Sequence, residues 1–134
     1  MENELIVIDT SVFIDYFRKT NRKDAFFEKI LRFNIPLTLS VITHLEIMIG
    51  NNEKQNSFWK LLIEELPVLD YHFQINNTAA NIFSDLKKRN KVIPFQDIII
   101  AATALHYNYP LATINRKHFQ YVTGLKLYTP DLFQ

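Results

Sequence analysis

Two rhythms of apolar and polar residues run along this chain. The first is a short, continuous, mostly β-branched run, Leu5-Ile6-Val7-Ile8, followed by short strand-like stretches at residues 35–40, 67–70 and 110–113. An uninterrupted apolar run such as the first suits a strand buried on both faces, as in a parallel sheet. The second rhythm is helical. Residues 12–19 carry Val12, Phe13, Tyr16 and Phe17 on one face, and residues 24–33 carry Phe26, Phe27, Ile30 and Leu31. Thr10 or Ser11 can cap the first of these helices. After the second strand, Ser40 or Thr43 can cap a helix whose apolar side reads as Ile42, Leu45, Met48 and Ile49 and which Gly50-Asn51-Asn52 ends. A helix over residues 53–66 has the stripe Trp59, Leu62, Ile63 and Leu66, and one over 75–89 has Ala79, Ile82, Phe83 and Leu86. Pro94 breaks the chain, and Asp97 opens an element over 98–105 that is apolar nearly all round and so should be buried. Residues 116–122 read as a short helix and 126–128 as a last edge strand. Strands alternating with helices predict an α/β fold, a three-layer α/β/α sandwich around a central parallel sheet of four to five strands.

Composition narrows the chemistry. A length of 134 residues predicts one domain, residues 1–134, with room for one core. No cysteine occurs, which excludes a disulfide framework, a thiolate metal site and a cysteine nucleophile. The acidic start Met1-Glu2-Asn3-Glu4 leads into a run too short for a signal peptide, and no stretch has the length of a membrane span. A soluble, cytoplasmic protein with no membrane partner is expected. With a net charge of +1, the chain is no general magnet for nucleic acid, so local patches or metal ions would have to supply any such attraction. Only two glycines, Gly50 and Gly124, are present, which rules out a glycine-rich phosphate loop.

Three acids stand in apolar surroundings at the ends of predicted elements: Asp9, Glu46 and Asp97. Singly, Asp9 and Asp97 can be helix caps and Glu46 an exposed helical acid. Asp9 follows the first strand, Glu46 lies in the helix after the second, and Asp97 begins the helix before the fourth. In a βαβ sheet these positions fall on one edge, where open α/β sheets bind their ligands. Converging carboxylates repel unless a cation neutralises them. An all-oxygen set of this kind suits Mg²⁺, with Mn²⁺ as the other candidate, and not zinc. Divalent cations in carboxylate cages polarise phosphoryl oxygens and activate water, which is the apparatus of phosphodiester hydrolysis.

The motifs around these acids resemble the PIN-domain ribonucleases of the VapC type, toxins of type II toxin–antitoxin pairs. The resemblance runs nearly end to end. It is carried by Asp9-Thr10-Ser11-Val12-Phe13-Ile14-Asp15, by Thr43-His44-Leu45-Glu46-Ile47 with Gly50, by Asp97 with Ile100-Ala101-Ala102-Thr103-Ala104, and by Leu111-Ala112-Thr113-Ile114-Asn115-Arg116-Lys117-His118-Phe119. It implies that Asp9, Glu46 and Asp97 are the metal-binding and catalytic carboxylates. Asp9 and Asp97 would be the most direct ligands, and Glu46 would bind directly or through water. Thr10, Ser11 and Thr113 would orient water or the aspartates. It further implies an RNA substrate, an antitoxin whose tail enters the site, and a homodimer, for which the apolar residues Phe58, Trp59 and Ile63 are candidates.

One position departs from the pattern. Many members carry a fourth aspartate just before the last motif's phenylalanine, and here His118 stands there. Imidazole is a poor Mg²⁺ ligand. Either Asn115 supplies an oxygen, or one metal is held firmly and a second only with substrate. His118 can also meet a substrate phosphate or serve as a packing residue. The basic residues Lys87 to Lys91, with Arg116 and Lys117, are candidates for the RNA backbone and equally for plain solvation. The rival reading is a PIN fold that binds RNA or a partner without cleaving it.

Overall fold

The computed structural model describes residues 4–50, 57, 60 and 64–133. Five strands form one parallel sheet: β1 (Ile6–Ile8), β2 (Leu37–Ser40), β3 (Val68–Leu69), β4 (Leu111–Ala112) and β5 (Leu127–Tyr128), in the order β3-β2-β1-β4-β5. The neighbouring strands pair in parallel, with Val7 opposite Thr38 on one side and Leu111 on the other. The apolar run that reads as a doubly buried strand is therefore the central one. Its alternation sorts the core. Ile6 and Ile8 pack with Val12, Phe13, Phe26, Phe27 and Ile30, while Val7 packs on the opposite face with Ile75, Leu86, Ile98 and Phe119.

Helices cover both faces, as the pattern predicts: α1 (Thr10–Arg18), α2 (Phe26–Leu31), α3 (Val41–Gly50), α4 (Ile75–Lys88), α5 (Phe95–Tyr107) and the single turn α6 (Arg116–Phe119). Most of the predicted helix over 53–66, with Phe58, Trp59 and Ile63, lies outside the described residues. Ser57, Lys60, Glu64 and Glu65 are helical. Among the described residues, no helix is long and apolar enough to cross a membrane. The α5 helix is buried through Ile98, Ile100, Ala101, Ala102, Thr103 and Ala104, and ends on Asn108 in the left-handed conformation.

The structure corrects one face. Leu45, Met48 and Ile49 were expected to point inward, yet they are 49%, 57% and 74% exposed. The inward face of α3 instead carries Thr43 and Ile47. The reason is that α3 turns its polar side toward the carboxyl edge of the sheet, where Thr43 and Glu46 find hydrogen-bond partners. Helix starts also shift. The first helix begins at Thr10, with Asp9 in the cap position but making no side-chain cap bond. Pro94, not Asp97, precedes the first turn of α5.

Candidate active site

The strand order reverses direction between β1 and β4, and this crevice is where open α/β sheets take ligands. Asp9 sits there at the end of β1, only 2% exposed. Its backbone N–H donates to Ala112 at the end of β4 (2.9 Å). The side chain is held by two hydroxyls on one oxygen: Ser11 Oγ donates to Oδ2 at 2.6 Å and Thr113 Oγ1 at 2.8 Å. Each hydroxyl has one proton, so the 3.3 Å approach of Ser11 to Thr113 carries none. Their oxygens accept in turn, Ser11 from the Ile114 N–H (3.2 Å) and Thr113 from the Asn115 N–H (3.0 Å). The reading of Asp9 as a mere helix cap has no bond to support it. Asn115 is exposed and takes part through its backbone, with no side-chain cap bond of its own.

Glu46 is half-buried, not free in solvent. Thr10 Oγ1 lies 2.8 Å from Glu46 Oε1 and 3.0 Å from Thr43 Oγ1. A carboxylate only accepts, so the single Thr10 proton goes to Glu46 and Thr43 donates to Thr10. Ser40 Oγ donates to Thr43 Oγ1 (3.2 Å) and accepts from the Thr43 N–H (3.0 Å), which makes Ser40 the cap of α3. A chain of three hydroxyls therefore ends on Glu46. The sequence suggests Ser40 only as a cap, and Thr43 as a cap and as part of the motif that carries Glu46. The spacing of Thr43 three residues before Glu46 was the signal for a second role.

Asp97 stands in the first turn of α5 with its side chain 13% exposed. Its Oδ2 is 2.6 Å from Nδ1 of His118, whose side chain is 42% exposed. Burial, and then the nearby charge of Asp9, push the Asp97 carboxyl above its ordinary value. The His118 hydrogen bond and charge pull it down, and Glu46 adds a smaller upward push. The three sequence-predicted acids thus share one electrostatic neighbourhood. Among the described residues, no three acidic or imidazole side chains stand within common reach of one ion. The donor chemistry still fits a hard divalent cation. Mg²⁺ keeps several waters and is commonly held by one or two carboxylates only.

Other acids have structural work. Asp15 accepts from the Phe26 N–H at the start of α2, Asp85 pairs with Arg89, and Asp131 pairs with Arg116 and Thr129. Within the basic cluster, Arg89 also donates to the Tyr121 carbonyl, and the Lys91 ammonium lies 4.6 Å above the Tyr121 ring. The rings of His72 and His106 meet edge to face at 4.8 Å, away from the acids. Beside the acidic edge, a groove of about 320 Å³ runs between α1 and α3, from Thr10 and Glu46 past Phe13, Ile14 and Ile47 to Phe17, Arg18 and Gly50.

The sequence profile of the PIN domain matches residues 6–125. Ribonuclease VapC1 of Methanocaldococcus jannaschii is 36% identical over 130 residues, covering 95% of this chain and 89% of the relative. Among solved structures, VapBC-1 from nontypeable Haemophilus influenzae superposes with a TM-score of 0.79 at 29% identity, over 95% of this chain and 98% of that one. A toxin–antitoxin complex from Klebsiella pneumoniae gives 0.74 at 25% identity, over 93% and 97%. Parallel sheet, acidic crevice and near full-length similarity converge on one assignment: this chain belongs to the PIN domain family.

Proposed function

We propose that this chain, acting as one PIN domain, is a divalent-metal-dependent endoribonuclease and the toxin of a type II toxin–antitoxin pair. One observation supports it above the rest: Asp9 is buried at the switch point of the sheet with one oxygen fixed by Ser11 and Thr113, and its charge, like that of Glu46, reaches Asp97. The donors that hold Asp9 and Glu46 are neutral hydroxyls, which carry no balancing charge, so three acids in one crevice argue for a cation. When bound, Mg²⁺ or Mn²⁺ would polarise the scissile phosphate and activate water.

The chain's own residues then have distinct jobs. Ser11 and Thr113 lock the plane of the Asp9 carboxylate through Oδ2. Thr10, backed by Thr43 and Ser40, holds Glu46 at the mouth of the α1–α3 groove, where it can orient the attacking water or a cation. Asp97, near enough to feel the charge of Asp9, would be the second direct ligand. Hydrolysis by positioned water needs no covalent intermediate, and none of these residues has to act as a nucleophile.

The relatives carry the partner reading. Ribonuclease VapC1 acts on RNA by name, and the similar structures are VapBC and toxin–antitoxin complexes. For this chain we take RNA as substrate and an antitoxin as inhibitor. The groove beside Glu46, with apolar walls and Arg18 at its far end, is a suitable entry for the antitoxin's tail. A homodimer in the cytoplasm belongs to the same reading, and the exposed Leu45, Met48 and Ile49 of α3 are candidates for its contact. The test is RNA cleavage by the purified protein with Mg²⁺ or Mn²⁺. Cleavage should vanish in EDTA and in Asp9→Ala. A folded wild type that binds RNA and cuts no class of it would favour the non-cleaving alternative.

A further inference from the structure

The position where many PIN domains carry a fourth acid has a different occupant here and, on geometric grounds, a different job. His118 Nδ1 lies 2.6 Å from Asp97 Oδ2, a close hydrogen bond between ring and carboxylate. With Asp97 ionised its carboxylate only accepts, so Nδ1 carries the proton. A protonated ring nitrogen has no lone pair to give a metal, so His118 cannot be a ligand through the atom that faces the site. The ring's place is set from below. Phe119 is fully buried, and the His118 backbone N–H donates to the Asn115 carbonyl at 3.0 Å, closing the turn of α6. The burial of Phe119 and the Asn115 N–H bond to Thr113 Oγ1 tie α6 to the sheet edge directly after β4.

We propose that His118 is a positioning residue for Asp97: it fixes Oδ2 from the solvent side, so that Oδ1 is the oxygen offered to a divalent cation. This inference rests on the metal-dependent reading of the same carboxylates. A fourth aspartate would add like charge to a crevice already crowded by Asp9, Glu46 and Asp97. His118 instead supplies a donor, which steadies Asp97 before any cation arrives. Ligating carboxylates that are themselves hydrogen-bonded follow a general rule, and loss of the outer partner typically weakens metal binding about 10–100-fold.

The experiment is a Mn²⁺ titration of the whole protein, followed by electron paramagnetic resonance and calorimetry without RNA. It compares wild type, His118→Ala, His118→Asn, and Asp97→Asn as the ligand-loss control. Asparagine is the informative rescue, because its amide N–H stands near the place of Nδ1. His118→Ala should bind Mn²⁺ about 10–100-fold more weakly, and His118→Asn should recover most of that loss. The partly exposed side chain makes misfolding a small risk, which circular dichroism of both variants checks. Unchanged or tighter Mn²⁺ binding in His118→Ala would overturn the proposal, as would an asparagine variant no better than alanine. A wild type that binds no more Mn²⁺ than Asp97→Asn would instead remove the metal-dependent reading, and this inference with it.

Discussion

Replacing Thr113 by valine tests whether the acidic crevice is held by hydroxyls. The two side chains have nearly the same shape, so packing at this fully buried position is kept. What goes is the donor to Asp9 Oδ2 at 2.8 Å and the acceptor for the Asn115 N–H at 3.0 Å. A hydrogen bond to a charged group contributes about 1.5–3 kcal/mol, and a stranded polar group loses about 1–3 kcal/mol more. Two facts lower the sum. Ser11 still donates to the same Asp9 oxygen, and Asn115 is exposed, so water can take its N–H. The expected loss is about 2–3 kcal/mol, a large part of the ~5–15 kcal/mol that holds a typical domain together. For a chain of this size, roughly 3–5 °C accompanies each kcal/mol, so the melting temperature should fall by roughly 6–15 °C. Urea and thermal melts in EDTA measure this without a bound cation adding stability of its own. Thr113→Ser, which keeps the hydroxyl, should lose much less. If Thr113→Val melts within about 0.5 kcal/mol of wild type, the range of an ordinary surface change, the hydroxyl lock on Asp9 is wrong.

Three further outcomes follow from other parts of the molecule. Burial and the Asp9 charge raise the Asp97 carboxyl above its unfolded value, so the folded state holds this proton more tightly and its stability falls as pH rises through the raised pKa. In EDTA, Asp97→Asn should therefore be more stable than wild type at neutral pH, with the gap closing as pH is lowered toward the unfolded carboxylate value; melts from roughly that value, about pH 4, up to about pH 7.5 check it. Asn108 ends α5 at φ +62°, where a β-carbon is strained, so Asn108→Ala should lose about 1 kcal/mol and Asn108→Gly little or nothing in the same melts. Lys117 is exposed on α6 beside His118, and Lys117→Ala should weaken RNA binding similarly for all sequences and flatten the salt dependence by about one phosphate contact, read by filter binding between 50 and roughly 200 mM salt.

Much of this architecture is legible in the residues because parallel strands buried on both faces have no polar side to confuse them. Leu5 to Ile8 announces the central strand, and the apolar stretch after Asp97 announces the buried α5. The same logic misleads at α3. Pattern reading sends apolar residues inward, and Leu45, Met48 and Ile49 point out because the inner side is occupied by the Thr43–Glu46 network. A site made of polar groups at a sheet edge inverts the usual rule locally. The site's contacts were hidden for a different reason. Ser11 meets Thr113 across 102 positions of sequence, and His118 meets Asp97 across 21. Those pairings depend on the register of β1 with β4 and on the anchoring of one helical turn, which no local pattern carries. The acids themselves could be named early, since each stands alone among apolar neighbours.

The lock on Asp9 also sets an order in time. Its two donors come from opposite ends of the chain, Thr113 reaching back 104 residues to Asp9. Non-local parallel pairings of this kind form late, after their loop-closure entropy has been met. On the ribosome, Asp9, Glu46 and Asp97 all emerge before β4, yet the crevice wall that fixes the first of them does not yet exist. A nascent chain stopped short of Leu111 would carry every acidic residue of the crevice and hold none of the arrangement. The acidic crevice thus takes its arrangement only once β4 has joined the sheet beside β1.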